Sequence, residues 1–162
     1  MNIYIEVRNN LGLSREKASE LLETISPEKL ERIENEKQLP NPDDVMIMAD
    51  KYSEPNIRNF YCANQCPMGQ HYVPRIMFND LEKTVLKLLA SLNSMHGKQE
   101  KLIEIAEDGK ISDEELVDFI NIQKTLERVS LAVDALELWT DKMISSGKIN
   151  MDRYNELINA HK

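Results

Sequence analysis

Two clusters of residues have types and spacings that could do chemistry. Cys62 and Cys66 lie four apart with His71 five further on, a spacing that could open a zinc site. A closed structural site takes four ligands, whereas the other histidines, His96 and His161, are distant in sequence and there is no third cysteine. No metal centre is therefore predicted; Cys62 and Cys66 read as small hydrophobes, with a redox-sensing pair as the alternative. The run EIAEDGKISDEE at 104–115 imitates the second half of a calcium loop through Gly109, Ile111 and Glu115. With Gly109 at loop position six, position one is Glu104 and position three is Ala106, and only Asp108 at position five suits. A turn between helices is predicted instead. There is no Gly-rich phosphate loop and no histidine close in sequence to a nucleophile and a carboxylate. No enzyme and no cofactor are expected.

The elements that would have to position any site are clearest between Ser14 and Pro40. This stretch spells two short amphipathic helices joined by a tight turn. In the second, Leu30 and Ile33 share a face while Lys29, Glu31, Arg32 and Glu34 fall on the others. Ser26 can cap it, Pro27 takes the first position where its missing N–H costs nothing, and Ile25 with Leu30 makes a hydrophobic staple. The first helix repeats the grammar with Leu13 before the cap, Ser14 as cap, and Ala18, Leu21 and Leu22 as the buried side.

These residues resemble the lambda-repressor and Cro-like (XRE-type) helix-turn-helix domains. The resemblance rests on Gly12-Leu13-Ser14 and on RIENEKQLPNPDDV at 32–45, which is similar to that family's R-I-E-N-G-K-x-x-P-x-x-x-x-L tail, and it covers about the first sixty residues. Two departures stand out: Glu23-Thr24-Ile25 makes the turn one residue longer than the family's short Gly-containing one, and Glu36 replaces its usual Gly. The resemblance implies a DNA-binding unit that reads duplex DNA from the start of the second helix and the early exposed positions of the third. It implies as contact residues Arg15, Ser26, Glu28, Lys29, Arg32, Asn35 and Lys37. Of these, Arg15, Lys29 and Arg32 suit phosphate or guanine, while a carboxylate such as Glu28 or Glu31 is repelled by phosphate and can accept only from cytosine.

Charge bears directly on that implication. The chain carries a net −8, and residues 1–60 hold eight bases against twelve acids, so the DNA-binding candidate is itself acidic at −4. This argues against heavy nonspecific nucleic-acid binding, which works through Lys and Arg on phosphates. With 162 residues, 41% apolar and 30% charged, the chain can bury one substantial core or two small ones. No apolar run is long enough to cross a bilayer, and MNIYIEVRNN does not read as a secretion signal. A cytoplasmic location and no membrane partner are expected, in keeping with only two cysteines.

Few Gly, few Pro and 6% aromatics point to an all-α protein. A five-helix unit is predicted over 1–65, with a first helix from Ile3 to Asn10, a fourth capped by Asn41 and lined by Val45, Met46, Met48 and Ala49, and a fifth from about Pro55 to Gln65. Residues 66–78, CPMGQHYVPRIMF, show no helical period and read as a linker, apolar enough to be docked. The region 79–162 predicts a long antiparallel helical hairpin and a closing helix at 151–160. The first hairpin helix spans 79–107, opens on an Asn79/Glu82 capping box, and carries a seam at Leu81, Val85, Leu88, Leu92, Met95, Gln99, Leu102 and Ala106. Gly97 either weakens or breaks it. The second spans 113–146, restarts at Ser112 with Glu115, and carries Phe119, Ile122, Leu126, Val129, Val133, Leu136, Thr140 and Met143. Leu131, Ala135 and Leu138 form a further apolar side that needs a cover. The expected function is that of a sequence-specific transcriptional regulator binding double-stranded DNA as a homodimer. The alternative is a helical adaptor that binds protein partners through both parts.

Overall fold

The computed structural model describes residues 2–77, 80–107 and 109–160. Among them are ten helices and no strand: α1 (Ile3–Asn10), α2 (Arg15–Leu22), α3 (Pro27–Glu34), α4 (Pro42–Lys51), α5 (Asn56–Asn64), α6 (Gly69–Tyr72), α7 (Leu81–His96), α8 (Gln99–Glu107), α9 (Leu116–Ser145) and α10 (Met151–Ala160). None is long and apolar enough to cross a membrane. The chain divides into two compact units, Met1–Ile76 with Thr140–Lys162, and Met77–Trp139.

Short polar side chains set where the helices of the first unit begin. Ser14 and Ser26 each accept the N–H three residues on, and Pro27 follows its cap. Asn41 and Asp44 close a reciprocal box at the head of α4. Ile3, Tyr4 and Val7 from α1 meet Ala18 and Leu22 from α2, Leu30 and Ile33 from α3, and Val45, Met48 and Ala49 from α4 in one core, with Ile25, Tyr52 and Ile57 completing it. Two residues assigned to inner faces point outward instead, Leu21 and Met46. Eight- to ten-residue helices have an apolar arc only two turns long, and Ala18 with Leu22, and Val45 with Met48, already fill it.

The segment after α5 is not a plain linker. Residues 69–72 make one helical turn, and Asn59 fixes the extended stretch at 74–76 by donating to the Pro74 carbonyl at 3.0 Å and accepting from the Ile76 N–H at 2.9 Å. Gly69 lies so close to α5 that a Cβ there would run into the Cys62 carbonyl. The last turn of α9 also belongs to this unit: Lys142 donates to the Ser53 carbonyl at 2.8 Å and to Glu54 at 2.7 Å.

In the second unit the helix expected over 79–107 is two helices, α7 and α8, divided at Gly97 and Lys98. Asn79, the expected cap, and Asp108, expected in the next turn, lie outside the described residues, as do Phe78 and His161; Asp80 occupies the N-cap position of α7. Lys98 Nζ reaches the Asn121 carbonyl at 2.9 Å and Thr125 Oγ1 at 2.7 Å, and Lys101 Nζ comes within 3.8 Å of Asp118. The heptad spacing holds on both sides of this pairing, and Ile122 of the expected seam is buried with Phe119, Val129 and Leu136 half-buried, but at several turns the inward position is one residue earlier than expected. Thr84, Ile105, Thr125 and Ala132 are buried, while Leu92, Leu126 and Val133 of the expected seams are exposed. The buried threonines are polar groups already satisfied, each bonding the carbonyl four residues back, Thr84 to Asp80 at 3.1 Å and Thr125 to Asn121 at 2.9 Å.

The two glycines in these helical segments should respond oppositely to a methyl group. Gly69→Ala must push α6 off the Cys62 carbonyl and should cost about 1–3 kcal/mol. Gly97→Ala meets open space at an ordinary helical φ and should stabilise by about 0.5 kcal/mol through the unfolded chain. Urea unfolding of the two variants beside the parent reads both.

Candidate nucleic-acid interface

The residues expected to meet DNA sit on and around α2 and α3, and the geometry sorts them by what already holds them. Arg15 opens α2, and its Nε donates to Glu34 Oε2 at 2.8 Å. The same carboxylate takes two bonds from Arg8, Nε to Oε1 at 2.5 Å and Nη2 to Oε2 at 2.9 Å. Arg8 also donates through Nη1 to the Leu13 carbonyl at 2.7 Å, in the turn before α2. Asn2 completes the joint, its amide donating to the Ile33 and Glu34 carbonyls at 3.0 and 3.1 Å. Thus one buried carboxylate, its side chain 1% exposed, ties the last residue of α3 to α1 and α2. Burial works to raise the pKa of Glu34, and the hydrogen bonds from Arg8 and Arg15 outweigh it, so the group stays below the usual glutamate range. Tyr52 lies in the field of this pair; burial first, and the Glu34 charge second, push its hydroxyl up to about 12.

Lys29 is held as well. Its ammonium donates to Asp44 Oδ1 at 2.7 Å, linking α3 to the head of α4. Ser26 spends its oxygen as the cap of α3, accepting from the Lys29 N–H at 3.3 Å. Glu28 stands in the first turn, where its own N–H, the Ser26 hydroxyl and then Arg32 hold its carboxyl below the ordinary range, so its charge serves the helix N-terminus. Arg32 and Lys37 are exposed, and neither forms an ion pair among the described residues. Asn35 is exposed at the C-cap of α3. Next comes Glu36 with φ 58°, in the left-handed region that favours glycine. Glu23, in the lengthened turn after α2, adopts φ 63°. Both departures from the family pattern therefore include a backbone position that suits Gly.

Of Arg15, Lys29 and Arg32, the first is bonded to the buried Glu34 at the end of α3 and the second to the buried Asp44 at the head of α4, so only Arg32 is without an ion pair among the described residues. Arg8, Glu34, Asn2 and Asp44 were not among the expected site residues. Their partners are distant in the chain, and no local spacing announces them. Away from this face, Cys62 and Cys66 are half-buried free thiols, the Gly69 N–H points to Cys66 Sγ at 3.5 Å, and His71 is exposed beside the Tyr72 ring. Among the described residues no three His, Cys, Asp or Glu side chains gather as a metal site. At 112–115, Glu115 accepts from the Ser112 N–H at 2.9 Å and from its hydroxyl at 2.7 Å, closing a capping box.

Because the Glu34 pKa is lowered on folding, its contribution is present above the ordinary glutamate range and is lost as pH falls through the folded value. Glu34→Gln, which leaves Arg8 buried without a counter-charge, should cost about 3 kcal/mol at neutral pH. The cost should shrink as the pH falls below the ordinary glutamate range and the parent carboxyl takes up its proton as well; urea titrations at neutral pH and in progressively more acid buffers measure it. Glu36→Gly should add about 1 kcal/mol in the same assay by relieving the left-handed backbone. Compared with known proteins, the chain matches no family model, no curated protein and no solved structure.

Proposed function

We propose that the chain is a sequence-specific DNA-binding regulator of the helix-turn-helix type that acts as a homodimer. On this reading α2 and α3 are the helix-turn-helix pair, and α7 and α8 return along α9 as a self-associating hairpin. The observation that carries it is a contrast among the cations: Arg15 is anchored to Glu34, which sets α2 on α3, while Arg32 in α3 and Lys37 in the turn after it remain open to solvent. A rigid scaffold presenting a few uncommitted cations suits binding through few phosphates, with a two-fold dimer doubling the specific contacts on a palindromic site. Such a protein has poor nonspecific affinity and a shallow salt dependence, about one unit of log-log slope per phosphate contact.

A second reading, a helical adaptor without DNA binding, is favoured by the pairing of Lys29 with Asp44 and by the exposed Glu28 and Glu31, which leave α3 with mixed charge. Its ligand would be a basic protein surface. Selection from a random duplex pool by the purified chain at low salt separates the two readings. Enrichment of a palindromic motif is expected. Arg32→Ala should then lose about 1–3 kcal/mol on that motif alone if the side chain reads a base, and should weaken all sequences equally if it holds phosphate. Failure to enrich any motif would sink the regulator and leave the adaptor.

A further inference from the structure

The outward side of α9 carries a pattern that fits a copy of itself. Val117, Ile120, Lys124, Glu127 and Leu131 recur in steps of three and four, so they share one stripe away from buried Ile122, Thr125 and Ala132. The apolar members are exposed, Val117 at 67%, Ile120 at 40% and Leu131 at 39%, with Leu116 beside them at 46%. In the middle stand Lys124 and Glu127, both exposed. Pairs of the same spacing elsewhere close on their own helix, Lys101 with Glu104 at 2.9 Å and Arg153 with Glu156 at 2.7 Å. Lys124 and Glu127 form no ion pair among the described residues.

Read backwards, the stripe is complementary to itself. If a second α9 lies antiparallel with the midpoint between Lys124 and Glu127 on the two-fold axis, Ile120 faces Leu131, Lys124 faces Glu127 and Leu116 faces Ala135, with Val117 opposite Asp134 at the margin of the pairing. Each contact occurs twice, as an isologous interface requires. A parallel pairing would set Lys124 against Lys124 and Glu127 against Glu127, so charge selects the direction as well as the partner. We infer that this face of α9 is the homodimer interface, formed by antiparallel pairing of two copies with reciprocal Lys124–Glu127 ion pairs at its centre. The inference rests on the dimer in the proposed function and names its surface.

Sedimentation equilibrium of the full chain across the micromolar range tests it, with helicity by circular dichroism to show that each variant is folded. Lys124→Glu and Glu127→Lys each replace two attractions by two repulsions and should weaken the dimer about tenfold. Combined in one chain, they should restore it to within about twofold of the parent, because the pairs are re-formed with their signs exchanged. Ile120→Arg should leave only monomer. A dimer indifferent to the single charge changes, or a double variant no better than the singles, would overturn this pairing. Dimerisation surviving Ile120→Arg would place the contact elsewhere and leave the dimer of the proposed function standing. A parent chain that stays monomeric throughout would remove both this interface and the dimer of the proposed function.

Discussion

The first unit depends on one carboxylate. Glu34 ends α3, and two arginines reach it from α1 and α2 while Asn2 holds the carbonyls of the last two residues of that helix. A buried ion pair adds modest net stability compared with apolar replacements, but removing one partner leaves a charge in a medium that cannot solvate it. The joint therefore acts as a constraint more than as a source of stability. With the carboxylate fixed, the relative placement of α1, α2 and α3 has little freedom, and the start of α2 and the exposed side of α3 move as one piece.

The distribution of charge follows from that constraint and its neighbours. Arg8 and Arg15 are committed to Glu34, Lys29 to Asp44, Lys51 to Glu23, and Arg58 lies between Asp50 and Asp141. What the acidic composition of residues 1–60 suggests as a uniformly unfavourable surface is thus uneven. Among the described residues of that stretch, Lys17, Arg32 and Lys37 are the bases without an ion pair, and all three are exposed. Surface pairs such as Lys51 with Glu23 are worth little to stability, yet they neutralise charge at a distance. Local positive potential belongs to the few cations left over, and net charge alone is a poor guide to it.

Local grammar was legible in the residues and long-range choice was not. Ser14, Ser26 and Asn41 announce helix starts because a cap and its partner lie within one turn. Heptad spacing likewise gave the period of the second unit, but α7 and α9 are apolar on two sides, so period did not determine phase. The inward face kept Ile122 of the expected seam, added Ile105 and small or self-satisfied side chains at Thr84, Thr125 and Ala132, and left Leu92, Leu126 and Val133 outside. The single turn at 69–72 escaped because four residues with a glycine show no periodicity, and its close approach to Cys62, which only a glycine permits, is a contact that spacing cannot reveal. Of the contact residues suggested by resemblance, the side chains could be named, but whether Arg15 or Lys29 was already engaged could not, since Glu34 and Asp44 lie far along the chain.

The order in which the chain is made acquires a meaning from the grip of Lys142 on Ser53 and Glu54. Ser53 turns the chain after α4 with φ 53°, and the groups that hold its carbonyl come from the last turn of α9, beyond the whole of the second unit. During synthesis the N-terminal helices emerge first and can collapse on their core, yet this corner waits for a lysine translated much later. A nascent chain, or one cut before Lys142, would therefore carry the helices α1 to α5 with the Ser53 corner unheld, and synthesis must pass Lys142 before the first unit is closed.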